Sequence, residues 1–131
     1  MGELPDSRIG SLAGLHVLVL EDDRDARDIL TMVLQYFGAL VTTVRTAAEG
    51  LQILRNISPD VVVADIQLAD RDATWVTQEA RKRGFNVPFI AVSAHDYDPR
   101  ELNEQGFEAY LRKPLDHVRL VDTILAVVRS R

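Results

Sequence analysis

The sequence predicts an α/β protein built on one doubly wound parallel sheet, and three observations carry that prediction. Short apolar or β-branched runs alternate with helix-patterned segments five times along the chain. The connections between them are short, so each strand must return through a right-handed crossover helix, which leaves parallel strands with helices on both faces. The runs also differ in polarity. His16-Val17-Leu18-Val19-Leu20, Val61-Val62-Val63-Ala64 and Phe89-Ile90-Ala91-Val92 are almost continuously apolar, as strands covered on both faces are. Val41-Thr42-Thr43-Val44 and Phe107-Glu108-Ala109-Tyr110 mix in polar residues and suit the edges, which gives the strand order 2-1-3-4-5 with five helices. A chain of 131 residues has room for one such domain.

Each element has its own signals. Residues 1–14 are rich in Gly, Ser and Pro without a sustained period and read as a flexible tail or linker remnant, so that a single domain spans 15–131. After the first strand, Ala26, Ile29, Leu30, Val33, Leu34 and Phe37 recur at helical spacing, and Gly38 supplies a stop. Thr46-x-x-Glu49 is a capping box that opens a helix through about Ile57. The third helix is predicted from about Thr74 to Arg83, ended by Gly84. Asp98-Pro99 places a cap and a first-turn proline at the start of a short fourth helix, closed by Gly106. Phe107 to Leu111 is the fifth strand, and Asp116 caps the last helix, where Leu115 is set to staple onto Leu120 ahead of Val121, Ile124, Leu125 and Val128.

Composition narrows the function. With 15 basic and 20 acidic side chains the net charge is -5, a field that repels nucleic acid and anionic lipid. Neither is an expected direct partner. The absence of cysteine excludes disulfides, thiolate metal sites and cysteine catalysis. No apolar run approaches the ~18 residues of a membrane span, and a cytoplasmic location is the expectation.

In an open parallel sheet, ligands sit beyond the carboxyl ends of the strands, at the switch point between the first and third. The residues there are polar. The first strand ends in Glu21-Asp22-Asp23, the third in Asp65, the fourth in Ser93 and the fifth in Arg112-Lys113-Pro114. Singly, these are ordinary: acids complement helix dipoles, an Asp forms turns, and a Lys is a solvated charge. Together, carboxylates brought to one rim raise one another's pKa unless a cation sits among them. An oxygen-only donor set with room for water and phosphate oxygens suits Mg²⁺.

The segments Val19-Leu20-Glu21-Asp22-Asp23, Pro59 to Leu68, Val92-Ser93-Ala94 and Tyr110-Leu111-Arg112-Lys113-Pro114, in that order, resemble the receiver domains of bacterial two-component response regulators, over about Leu15 to Arg129. The resemblance implies a flavodoxin-like fold and a set of roles. Asp65 is then the phosphoacceptor, taking a phosphoryl group from a histidine kinase or a histidine phosphotransfer domain. Asp22 and Asp65 are direct Mg²⁺ ligands, Glu21 a ligand through water, and the Gln67 backbone carbonyl a further one. Lys113 is the ammonium that neutralises the transferring group, its bond to Pro114 cis. Asp23 is adjacent to the ligands but caps the helix. Ser93 hydrogen-bonds a phosphoryl oxygen, and Tyr110 follows it as a switch. The signal leaves through the fourth helix, fifth strand and last helix, around Arg100, Tyr110 and Arg119, toward an unidentified downstream protein. A homodimer is compatible with this.

The chain also departs from the family pattern. Ala69 stands where Pro is usual and Ala73 where Gly is usual, so the loop from Gln67 to Thr74 is expected to take a different path. Gln67 and His95 occupy positions that modulate the phosphoryl lifetime in this family. A lone His at the solvent edge, such as His95, is seldom a phosphate carrier or metal ligand, while Trp75 reads equally as packed core or as an exposed anchor at an interface. An aspartate-nucleophile phosphohydrolase would carry another Asp where Gln67 stands, and a flavodoxin-like cofactor binder would need a Gly/Ser/Thr phosphate loop in place of Glu21-Asp22-Asp23. The rival with most support is a phosphorylation-independent interaction module, and its support is the altered loop alone.

Overall fold

Five βα units follow one another without interruption: β1 (His16–Leu20), α1 (Arg24–Tyr36), β2 (Leu40–Val44), α2 (Ala47–Ile53), β3 (Val61–Asp65), α3 (Ala73–Lys82), β4 (Phe89–Ser93), α4 (Pro99–Glu104), β5 (Phe107–Arg112) and α5 (His117–Arg129). The structure is a computed structural model and describes residues 8–131. The strands form one parallel sheet in the order β2-β1-β3-β4-β5, as the polarity of the runs predicts.

Alternation along the buried strands divides the core in two. Val17, Val19, Val61, Val63, Ile90 and Val92 face α1 and α5, packing against Leu30, Leu34, Leu120 and Ile124. Their neighbours Leu18, Leu20, Val62, Ala64, Phe89 and Ala91 face the other way, onto Leu51, Val76 and Leu102 of α2, α3 and α4. Both faces of the central strands are thus dry, which is why no polar residue interrupts them.

The boundary at residue 15 needs correction. Residues 8–14 form a turn docked on the domain: Leu12 is fully buried in the α1/α5 layer, and its amide donates to the Phe37 carbonyl at 2.9 Å. Arg8 reaches Asp122 of α5 through Nε and Nη2 at 2.9 and 3.1 Å. Gly38 makes this docking sterically feasible, because its φ of +103° lies in the left-handed region and a Cβ there would meet the Ala13 nitrogen at 3.1 Å. The tail predicted for residues 1–7 lies outside the described residues.

Helix ends agree closely with their caps: Asp23, Thr46, Asp72, Asp98 and Asp116 each accept a first-turn amide. Two details differ. α2 stops at Ile53, four residues before the predicted end, and continues only as a turn. Thr46 bonds the Glu49 amide at 3.1 Å, but the Glu49 carboxylate returns to the Arg45 amide at 3.2 Å. The remaining first-turn amides of α2 are taken by Asp70, from the β3–α3 connection.

Candidate functional site

The carboxyl ends of β1, β3 and β5 bring the acids and the lysine together. One oxygen each of Glu21, Asp22 and Asp65 lies within 4.8 Å of the others. Lys113 Nζ donates to Glu21 Oε1 at 2.8 Å and to Asp65 Oδ2 at 3.1 Å, so a single ammonium bridges two of three carboxylates. The Lys113–Pro114 bond is cis. Glu21 is 2% exposed, while Asp22 faces solvent. The second Glu21 oxygen accepts the Asp23 amide at 3.1 Å, and Asp23 in turn caps α1 through the Ala26 amide at 2.9 Å. Arg27, which sequence patterning passes over, clamps this corner by donating to the Glu21 and Asp22 carbonyls at 3.0 and 2.9 Å.

Electrostatics follow from this packing. Burial pushes the Glu21 carboxyl above its ordinary pKa, against the pull of Lys113 and the Asp23 amide, and Asp65 pushes in the same direction as burial. Burial by itself would depress the Lys113 ammonium, but its hydrogen bonds to Glu21 and then Asp65 outweigh this and raise its pKa. Lys113 therefore stays charged. Three carboxylates against one ammonium leave an excess of hard oxygen donors, a set that fits a divalent cation such as Mg²⁺.

Ser93 is 1% exposed at the end of β4, and its Oγ accepts the His95 amide at 3.0 Å. The His95 carbonyl accepts from the Tyr110 hydroxyl at 2.5 Å. The main chain of His95 thus joins Ser93 to Tyr110, while its imidazole is exposed and takes no part in the acid cluster. Tyr97, unnoticed in the sequence because nothing in its spacing marks it, packs edge-to-face on Tyr110 with ring centroids 6.3 Å apart and accepts from Gln67 Nε2 at 3.2 Å. The Gln67 amide donates to Asp65 Oδ1 at 3.2 Å. Trp75 is half-buried against the α2/α3/α4 layer, with the Arg71 guanidinium 4.3 Å above its ring.

The altered loop needs no permissive backbone. Ala73 is buried in the first turn of α3, and no non-glycine residue among those described has positive φ. The path is closed by pairing of Gln67 with Asp72 and by the Ala73 amide donating to the Ile66 carbonyl at 2.7 Å.

Comparison with known proteins agrees with this geometry. The family described as "Response regulator receiver domain" matches residues 17–125. A 14.6 kDa protein of Leptolyngbya boryana, called uncharacterized, is 33% identical over 115 residues, which span 85% of this chain and 88% of that one. The response regulator MprA of Mycobacterium sp. (strain KMS) is 28% identical over 117 residues, and this chain spans about half of its length (51%). The receiver domain of the sensor histidine kinase PA1611 from Pseudomonas aeruginosa, whose structure has a magnesium ion coordinated in the active-site cleft, is 25% identical, with a TM-score of 0.82 and coverage of 89% of this chain and 99% of that one. A Francisella response regulator receiver domain shares the fold at 24% identity, with a TM-score of 0.83 and coverage of 89% and 98%. No helix among the described residues is long and apolar enough to cross a membrane. A sheet in this order, with an acid rim at its switch point and a family match along nearly its whole length, places the chain in the response regulator receiver domains of two-component signalling systems.

Proposed function

We propose that this receiver takes a phosphoryl group onto Asp65 and passes the change to Tyr110. The observation that carries the proposal is the convergence of Glu21, Asp22 and Lys113 on the Asp65 carboxylate. In the transfer, an Asp65 oxygen attacks the phosphorus of a phosphohistidine, the P–N bond breaks, and the imidazole nitrogen leaves with the electron pair and takes up a proton. The product is an acyl phosphate, which water later cleaves at phosphorus to restore the carboxylate. Asp22 and Asp65 would hold Mg²⁺ directly, with Glu21 through water and the Gln67 carbonyl as further ligands. When bound, the ion offsets charge on the transferring phosphoryl oxygens. Lys113 does the same as a compact point charge already poised at Asp65.

The phosphoryl source is a histidine kinase or histidine phosphotransfer domain, and a downstream protein reads the result on α4, β5 and α5. This reading carries with it a cytoplasmic location and a self-catalysed loss of phosphate. Ser93, turning its hydroxyl from the His95 amide toward a phosphoryl oxygen, would release the 93–95 segment that Tyr110 holds. The interaction-module alternative loses its support, since the loop bearing Ala69 and Ala73 closes through the Gln67–Asp72 pairing with no described non-glycine residue at positive φ.

Intact-mass measurement with a small phosphodonor and Mg²⁺ tests the proposal. The wild type is expected to gain one phosphoryl group and Asp65→Asn none; an Asp65→Asn chain that gains the mass at the wild-type rate overturns it.

A further inference from the structure

The β3–α3 connection is fastened to a second element that the family resemblance does not involve. Asp70 accepts the Ala47 and Ala48 amides of α2 at 2.9 and 3.0 Å, across more than 20 positions of sequence. Thr46 accepts the Glu49 amide, so all three first-turn donors of α2 are met and two of them are met from outside. The anchor is firm because α2 lies directly on β1: a Cβ at Gly50 would come within 2.8 Å of Leu20 Cδ2. Leu20 immediately precedes Glu21. Burial opposes the Asp70 charge, but the backbone N–H groups of Ala47, Ala48, Asp70 itself and Arg71 together outweigh it and hold the carboxyl below its ordinary range. At the other end of the span, Gln67 pairs with Asp72 and bonds Asp65 Oδ1. Between these fixed points lies Ala69, which lacks the ring by which Pro fixes the backbone φ.

We propose that Asp70 is a positioning residue for the metal and phosphoryl site: by gripping the first two amides of α2 it fixes the span that carries Gln67, and so sets the affinity of the Asp65 site for a divalent cation. This rests on the reading of Asp65 given above. Asp70 supplies through a tertiary contact the stiffness that Ala69 does not supply locally.

The test compares Asp70→Ala, Asp70→Asn and the double variant Ala69→Pro/Asp70→Ala with wild type in the full chain. Amide exchange is measured first without metal, and Mg²⁺ is then titrated with Trp75 fluorescence and amide chemical shifts as readouts. Asp70→Ala is expected to speed exchange at Ala47, Ala48, Gln67 and Ala73 and to weaken Mg²⁺ binding about tenfold, the lower end of what lost second-sphere support costs a metal site. Asp70→Asn keeps one acceptor oxygen and should fall between; it stands in if Asp70→Ala does not fold. The proline should recover most of the Mg²⁺ affinity and the Gln67 protection while Ala47 and Ala48 stay fast. Fast α2 amides with unchanged Gln67 exchange and unchanged Mg²⁺ affinity would show that Asp70 merely caps α2, and would overturn the inference. A wild type without Mg²⁺ response overturns the site reading itself. The metal-free exchange arm tells the two failures apart.

Discussion

Asp22 is the acid that pairing neglects. Its carboxylate lies within 4.8 Å of Glu21 and Asp65 in the cluster, whereas Lys113 bonds those two and not Asp22. Charge repulsion there works against the fold. Asp22→Asn is therefore expected to raise the metal-free melting midpoint by a few degrees, corresponding to about 0.5–1 kcal/mol for a partly exposed charge. The same variant should lose the stabilisation that Mg²⁺ confers on the wild type, and calorimetry with and without the ion checks both. A lower midpoint without metal would show that Asp22 holds the corner in some other way. Asp70 gives the opposite case. Its pKa lies below the unfolded-state value, so its contribution is present above the ordinary carboxylate range of about pH 4 and is lost as pH falls through the lowered value. The gap in melting midpoint between wild type and Asp70→Asn should accordingly be full at neutral pH and close in acid; a gap independent of pH would mean the charge is not what matters. Glu21, Asp22, Asp65 and Lys113 were legible in the sequence because each stands at a strand end, and strand ends converge by topology. Asp70, Arg27 and Tyr97 were not, because their partners are backbone atoms or rings set beside them only by the folded chain.

At the scale of elements, caps were easy to find and lengths less so. Asp and Thr before each helix bond amides two or three residues on, a local event that sequence reports directly. The stop of α2 at Ile53 and the docking of residues 8–14 depend on tertiary contacts. In the second case, Gly and Ser around Leu12 hid a core residue behind the composition of a linker. Leu12→Ala should destabilise the domain by about 2–4 kcal/mol, the range for a buried leucine whose cavity cannot collapse. Chemical denaturation measures this, and a loss below about 1 kcal/mol would mean that the turn is only laid on the surface. A second tie joins elements on the opposite face, where the Thr77 hydroxyl of α3 donates to the Gln105 carbonyl at the end of α4 at 2.5 Å, the Thr74 carbonyl of its own helix lying 2.8 Å from the same oxygen as the alternative acceptor. Thus α4, six residues long with Leu102 as its only buried side chain, is secured at its carboxyl end more firmly than its length suggests.

For the whole molecule, strand order and layering were legible because polarity distinguishes covered strands from edges, and the two half-cores follow from simple alternation along each strand. The same architecture directs where a signal can travel. Ser93, the His95 main chain, Tyr110 and Tyr97 form one connected path from the rim to the α4–β5 side, whereas α1 meets the rim only at the Glu21–Asp23 corner and, among the described residues, makes no hydrogen bond to that path. Phosphorylation should change amide exchange most between residues 93 and 112, with the α1/α5 core unaltered. Changes confined to the surroundings of Asp65 would reduce the protein to a phosphate shuttle. Leu12 has one more consequence, for anyone grafting this receiver onto another protein. A junction at the first strand would carry away the side chain that plugs the seam between α1 and α5, and the new neighbour would inherit an oily socket to occupy; a junction before Arg8 carries the plug along with the ion pair that ties it to α5.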